Sequence, residues 1–287
     1  MDSEARSAVA ELVKDIALCK SVGNSLTPLI WESTVPIVAE KEDTFRQHGT
    51  GTLLSIAQRL FLVTAAHVFR QARSNRQALH LPNLGGDAWL RIVLDFRCLR
   101  ADAFDDSIDL AISEMDEESI AFLQGYNSVK LLDLDTTLKF TDDVYCVCGF
   151  PSELATIDPS GASPSKLTKL FGLTALYKGS TSLEAYDGRY NILLDAEKSN
   201  AVKLIDGCAD LPSNFKGISG CSIWKTNLAV VGRDKWTPAN ARLVAVQTCE
   251  YESAKAIKGT SWKAATTLLY KGWPELRPAM GLILPRS

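Results

Sequence analysis

The chain has 287 residues, 46% of them hydrophobic and 23% charged, which are ordinary globular proportions with enough length for one large domain or two small ones. Its formal net charge is −3 and its basic residues are scattered instead of forming a patch or stripe, which argues against nucleic acid as a partner. No run approaches the roughly 20 apolar residues that span a bilayer, and the beginning "MDSEARSAVAELVKDIALCKSVGN" has no uninterrupted apolar stretch of the signal-peptide kind, so the expectation is a cytoplasmic protein with no membrane partner.

In chain order, residues 4–20 place Ala8, Leu12, Ile16 and Cys19 at helical spacing, widened by Val9 and Val13, with Lys and Glu between. This predicts an N-terminal amphipathic helix. From Pro28 onward the texture changes to short apolar runs cut by Gly, Pro, Asp and Asn: "VPIVAE", "GTGTLLSI", "RLFLVTAA", "LRIVLDFRCL", "IDLAISEM", "DVYCVCGF", "YNILLDA", "CSIW", "LAVVG" and "RLVAVQTC". Many short strands at modest spacing, without strong helical patterns between them, predict an all-β barrel or sandwich. Two segments depart from this texture. "PSELATIDPSGASPSKLTKL" is rich in Pro, Ser and Thr and reads as a long loop. "TSWKAATTLLYKGWPEL" reads as a helix with Thr260 or Ser261 as N-cap, Trp262, Ala265, Leu268 and Leu269 on one side, and Gly272 and Pro274 ending it.

The seven cysteines, Cys19, Cys98, Cys146, Cys148, Cys208, Cys221 and Cys249, are an odd number in a chain without a secretory signal, which predicts free thiols. In "VYCVCGF", Cys146 and Cys148 alternate with Tyr145 and Val147 as one face of a strand would, and no second pair has ligand spacing, so no metal is expected.

The stretch "FKGISGCSIW", residues 215–224, holds three candidate nucleophiles, Ser219, Cys221 and Ser222, in what also reads as a tight turn. The three histidines, His48, His67 and His80, all precede it. The chain order nucleophile, acid, histidine is therefore excluded. His67 lies in "RLFLVTAAHVF", an apolar strand running into two small residues and then a candidate base; by itself it could equally be a core histidine satisfied by a carbonyl. Asp109 leads directly into the strand "LAISEM", where a turn or cap role is the plain alternative. Taken together, the order His67, Asp109, Ser219 is one of those that build a Ser-His-Asp triad.

These segments resemble trypsin-like (chymotrypsin-fold, PA clan) serine peptidases, in particular bacterial intracellular ones. "GTGTLLS" followed by "FLVTAAHVF" is similar to the family's first strands and its T-A-A-H motif. "IDLAI" is similar to the strand that carries the acid, "GISGCSIW" to the G-x-S-G-G-x loop, and "VCGFP" to a G-[YF]-P segment early in the second barrel. The resemblance runs from about Val35 to Tyr251. It implies an all-β fold of two packed Greek-key β-barrels, here with an N-terminal and a C-terminal helix. The implied divisions are 1–30 for a helical extension, 31–133 for the first barrel, 134–253 for the second, and 254–287 for the C-terminal helix and tail.

It also implies a serine endopeptidase acting on a protein or peptide substrate without cofactor or metal. Ser219 would attack, His67 would take its proton, Asp109 would orient the imidazole, and the N–H groups of Gly217 and Ser219 would form the oxyanion hole. Cys221 stands where the family has its second glycine, and so reads as packing. Ser213 would lie at the base of the specificity pocket, with Thr248, Cys249 and Glu250 along the substrate strand. The residue before the nucleophile is Ile218, whereas secreted trypsins have there an aspartate that pairs with a newly cut N-terminus. Activation by such a cut is not expected, so the oxyanion loop is either preformed or organised by a protein partner, a ligand or oligomerisation. Similar intracellular peptidases act as signalling effectors, some in antiphage defence. The alternative reading is a catalytically silent protease-fold module that holds a partner protein.

Overall fold

A computed structural model of the chain describes residues 11–12, 14–84, 88–92, 96–98, 108–158, 166–167, 169–177, 179–197, 202–203 and 214–281. Residues 4–10 and Val13 of the expected N-terminal helix, as well as Ser213, lie outside them.

The apolar runs become two antiparallel sheets. The first contains β1 (Thr34–Lys41), β2 (Thr44–Ile56), β3 (Arg59–Ala65), β4 (Ala78–Pro82), β5 (Trp89–Ile92), β6 (Phe96–Cys98) and β7 (Leu110–Glu114), in the order β5-β4-β1-β2-β3-β7-β6. A short β8 (Val129–Lys130) adds in parallel to β2. After β9 (Tyr145–Gly149), the segment expected to be loop carries a two-stranded ribbon, β10 (Ala155–Thr156) with β11 (Lys166–Leu167), and its last residue opens β12 (Leu170–Thr174). With β13 (Asn191–Asp195), β14 (Val202–Lys203), β15 (Ser222–Lys225), β16 (Arg242–Tyr251) and β17 (Ala256–Ser261), the second sheet runs β13-β17-β16-β15-β9-β12-β14. Tyr177 N–H donates to Leu193 O at 3.0 Å and Asp195 N–H to Ala175 O at 2.9 Å, which joins the residues after β12 to β13 and curls the sheet back on itself.

The strands read as nearly continuous apolar runs because both of their faces are covered. Side chains alternate between faces along a strand, and here each face meets a different core. Leu53, Leu62 and Ala111 fill the first barrel, while Leu54, Phe61, Val63, Leu110 and Ile112 point out of it. On β9, Tyr145 and Val147 enter the second barrel and Cys146 and Cys148 leave it, the alternation read from the sequence. The outward sets meet in a third core between the barrels, which also receives both terminal helices.

Among the described residues the helices that pack on this body include α1 (Ile16–Ile30), α2 (Ala66–Ser74), α3 (Glu117–Phe122), α4 (Leu228–Val231), α5 (Trp262–Gly272) and α6 (Arg277–Met280). The pattern over 4–20 predicts one helix; among the described residues it is interrupted at Asp15, which caps a helix that starts at Ile16 and runs through Gly23 and Pro28 to the end of the 1–30 extension. Leu18, Val22, Leu26 and Ile30 recur every fourth residue and are all buried in the inter-barrel core, so packing outweighs the poor helix formers between them. Residues 228–231, expected as a strand, form a helical turn because Thr226 Oγ1 and Asp143 Oδ1 accept from its first N–H groups, at 3.2 and 3.4 Å. The C-terminal helix lies where its pattern placed it, with Ser261 at the N-cap.

Lys169 pins the end of α1. Its ammonium donates to Trp31 O, lies 4.7 Å from the Trp31 ring centre and 5.3 Å from that of Phe150, and its residue is only 5% exposed. Burial pushes this ammonium down to about 8, and the neighbouring Cys148 thiol up to about 11. Unfolded, a thiol titrates near ~8.5 and a lysine near ~10.4. The native thiol keeps a proton that the unfolded chain loses, so its contribution to stability is lost as pH rises from about 8.5 to 11. The native lysine sheds a proton that the unfolded chain keeps, so its contribution grows between pH 8 and about 10.4. The two offset each other. Lys169→Met should therefore lose stability more steeply than wild type between pH 8.5 and 10, by up to about 1.4 kcal/mol per pH unit. Urea denaturation across that range measures the difference.

Candidate active site

The strand β3 runs into α2 at Ala65–Ala66, and His67 is the second residue of the helix. Ala66 N–H donates to Asp109 O at 2.9 Å, which ties the start of the helix to the residue just before β7. Asp109 has φ of +36°, a left-handed backbone that costs a non-glycine residue energy and persists only when its surroundings fix it. Its carboxylate supplies that fixing. Oδ1 accepts from His67 N–H at 2.9 Å, and Oδ2 lies 2.5 Å from His67 Nδ1. A carboxylate at Nδ1 places the ring proton there and leaves Nε2 as the acceptor. The Asp109 side chain is 11% exposed and that of His67 26%, a sheltered acid behind an accessible ring.

The other histidines are committed elsewhere. His48 Nε2 donates to Val68 O at 2.8 Å, and burial, with His67 close by, holds this imidazole below its ordinary range. His80 Nε2 pairs with Glu40 Oε2 at 2.6 Å on the first sheet. Neither lines the cleft that holds His67 and Asp109.

The turn 217–220 follows from two positive φ angles, +91° at Gly217 and +94° at Gly220. A methyl group on Gly220 would fall 1.9 Å from Thr64 Oγ1, and one on Gly217 would fall 2.5 Å from Ser152 Oγ. The turn is held from the first sheet. Thr50 N–H donates to Ser219 O at 2.8 Å, and Thr50 Oγ1 donates to Gly217 O at 2.8 Å while accepting from Phe150 N–H at 3.0 Å. Gln47 Nε2 reaches Phe150 O at 3.2 Å. From the second sheet, Gln247 O accepts from Gly220 N–H at 2.8 Å. Ser152 N–H donates to Lys216 O at 2.8 Å and Cys221 N–H to Ile218 O at 2.9 Å. In a planar trans peptide the N–H points opposite its C=O, so the N–H groups of Gly217 and Ser219 are directed away from these scaffold contacts. Among the described residues neither donates to a protein acceptor.

The three candidate nucleophiles separate by burial. Ser219 is half-buried and lines the cleft, while Cys221 and Ser222 have no exposed surface. Burial pushes the Cys221 thiol well up, away from the reactive thiolate. Ile218 is fully buried in the second barrel, packed against Gly149, where an added methyl group would lie 3.0 Å from Ile218 Cβ. Among the described residues, Ser219 and His67 share the cleft without a direct hydrogen bond, an open arrangement common in ligand-free sites.

The cleft measures about 580 Å³ and is floored by Gln247, Thr248, Cys249 and Glu250 of β16. Thr248 Oγ1 pairs with Thr260 Oγ1 at 3.3 Å, and Cys249 is half-buried, which raises its thiol. Glu250 turns inward: its carboxylate accepts from Phe215 N–H at 3.1 Å, and burial raises its pKa. It therefore joins β16 to the segment before the turn while lining the cleft. The sequence reading missed Thr50 and Gln47, the buried Lys258, whose Nζ donates to Ala185 O at 2.8 Å, and Arg70, whose Nη2 donates to Asp109 Oδ1 at 2.6 Å. Of these only Arg70 had a usable signal, its position one turn after His67.

Comparison with known proteins bears on the fold. A thermostable serine protease from an extremophilic microorganism superposes with a TM-score of 0.50 at 10% identity, covering 87% of this chain and 98% of its own. The serine protease domain of the Sesbania mosaic virus polyprotein is 16% identical over 82% of this chain and 91% of its own, with a TM-score of 0.44. A Glu endopeptidase is 14% identical over 83% and 89%, with a TM-score of 0.47. No family model and no curated protein match the sequence. The chain has the two-barrel chymotrypsin fold, as the sequence led one to expect.

Thr50→Val keeps the shape of the side chain but strips its hydroxyl from Phe150 N–H and Gly217 O. It should cost about 1–3 kcal/mol of stability, measured by urea denaturation, while Thr50→Ser stays near wild type.

Proposed function

We propose that the protein is a serine endopeptidase that cleaves a protein substrate through an acyl-enzyme on Ser219. The observation that carries this reading is the His67–Asp109 pair at 2.5 Å, opening into the cleft lined by Ser219, the one member of its turn that is not buried. A serine hydroxyl attacks a carbonyl only as its proton leaves, and His67 Nε2 is the accessible base in the cleft. Asp109 holds the ring tautomer and stabilises the imidazolium that forms. The N–H groups of Gly217 and Ser219, directed away from their scaffold, are the donors for the oxyanion, each worth about 3 kcal/mol in the transition state. Thr248 to Glu250 offer main-chain groups to an extended peptide.

The turn is held by Thr50, Gln47 and Gln247 and seated by a buried Ile218, which supports a loop that is preformed instead of one assembled by a newly cut N-terminus. A silent binding module with this fold would not need a carboxylate-backed histidine in one cleft with a half-buried serine.

A fluorophosphonate probe should label the wild-type protein on Ser219. Ser219→Ala should not be labelled, and His67→Ala should be labelled at least about a thousandfold more slowly. A wild-type protein that stays unlabelled overturns the reading. The labelling rate should also fall as the pH is lowered, because a protonated ring cannot accept the serine proton. A rate unchanged down to about pH 4 would remove His67 from the role of base.

A further inference from the structure

Among the described residues the Asp109 carboxylate receives three hydrogen bonds, and all come from α2: His67 N–H to Oδ1 at 2.9 Å, His67 Nδ1 to Oδ2 at 2.5 Å and Arg70 Nη2 to Oδ1 at 2.6 Å. Among the described residues no donor from the second sheet reaches this carboxylate, and the Thr248 hydroxyl on β16, which lines the same cleft, is engaged with Thr260. We infer that Arg70 is a positioning residue of the site: it locks the plane of the Asp109 carboxylate and, by offsetting part of its charge, sets how strongly Asp109 holds a proton on His67. The inference rests on the peptidase reading above.

Arg70 stands three residues after His67, so both side chains project from one face of the helix. The carboxylate needs a second hold. His67 N–H and Nδ1 come from a single residue, and Asp109 itself hangs from a backbone at φ +36° just before its strand. A guanidinium on Oδ1 adds a strong, directional donor that resists rotation of the carboxylate. The same contact has an electrostatic consequence. During attack the imidazolium is stabilised by the Asp109 charge, and a cation 2.6 Å from that charge offsets part of the attraction. The Arg70 side chain is 57% exposed, so solvent screens the offset without removing it.

Other charges face the pair. His48 lies close to His67 from β2 and is held below its ordinary range by burial. Cys249 faces Asp109 from β16, with its thiol raised and thus neutral near pH 7. Lys216, Lys258, Glu250 and Glu252 line the rest of the cleft. Of all these, only Arg70 bonds to the carboxylate together with His67. Removing it should therefore loosen the acid and, at the same time, make the imidazolium easier to form. The first effect slows the reaction; the second moves its acid limb to higher pH.

The test compares wild type, Arg70→Lys and Arg70→Gln, using the rate of fluorophosphonate labelling as a function of pH, and the imidazole titration of His67 followed by NMR. Arg70→Gln should lower the plateau rate about tenfold and move the midpoint of the acid limb up by about half a pH unit or more. Arg70→Lys should restore the position of the limb but only part of the rate, because an ammonium on a flexible stem supplies the charge but holds the carboxylate less firmly. A slower Arg70→Gln with an unmoved limb overturns the inference and leaves the peptidase reading intact, since it would make Arg70 mere packing. Should the wild type prove unreactive to the probe, the peptidase reading falls and the NMR titration decides by itself: a higher midpoint in Arg70→Gln supports the role of Arg70, and an equal one overturns it. The exposed position of Arg70 keeps both variants folded, and an unchanged thermal transition verifies this.

Discussion

The turn that carries Ser219 belongs to the second barrel by sequence and is held by the first, and Thr50 is where the two meet. Thr50 sits opposite Pro36 in the pairing of β1 with β2, and its own main-chain groups turn elsewhere, with its N–H on Ser219 O and its carbonyl accepting from Thr64 Oγ1 at 2.7 Å. Its hydroxyl then satisfies a carbonyl on one side and an N–H on the other. One threonine thus fixes both ends of the peptide run that carries Ser219. Because the contacts are buried, each polar group that Thr50 satisfies would otherwise be left without water, and that penalty is what makes the turn specific.

The same economy governs the body of the protein. Strands that are apolar on both faces need a covering on both faces, and each barrel can supply only its own interior. The outward faces of β3, β7 and β9 find their cover in the other barrel and in the helices at either end. Neither helix is an appendage: Leu26 and Ile30 of α1 and Trp262 and Leu269 of α5 are buried in the core that lies between the barrels. Lys169, held under Trp31 and against Phe150, joins this seam to the segment whose N–H group Thr50 receives.

The sequence disclosed the elements whose physics is local. Alternation placed the strands and put Cys146 and Cys148 on one face; the spacing of Trp262, Leu268 and Leu269 placed α5; and the lack of a histidine after Ser219 left only His67 and its fellows upstream as bases. It hid what depends on distant partners. The bond from Thr50 Oγ1 to Gly217 O spans 167 positions, and that from Gln47 to Phe150 spans 103, so nothing beside Thr50 or Gln47 marks them. Residues 21–30 contain Gly23 and Pro28, weak helix signals that the buried stripe of α1 overrides. Residues 228–231 have a strand-like composition, and the neighbouring Thr226 together with the distant Asp143 accept their N–H groups and wind them into a turn.

On the proposed assignment, acid and base are secured entirely within the first barrel, while nucleophile and oxyanion donors sit on a turn of the second. The Asp109–His67 pair needs nothing from across the seam, and the turn is seated by Ile218 in the interior of its own barrel. An apolar seat differs from a charge pair in how it can be controlled. A charge pair is made or broken by one new terminus, whereas a buried isoleucine leaves its place only when the barrel opens. The turn is in addition tied directly to the first barrel, which carries His67, by the Thr50 N–H on Ser219 O at 2.8 Å.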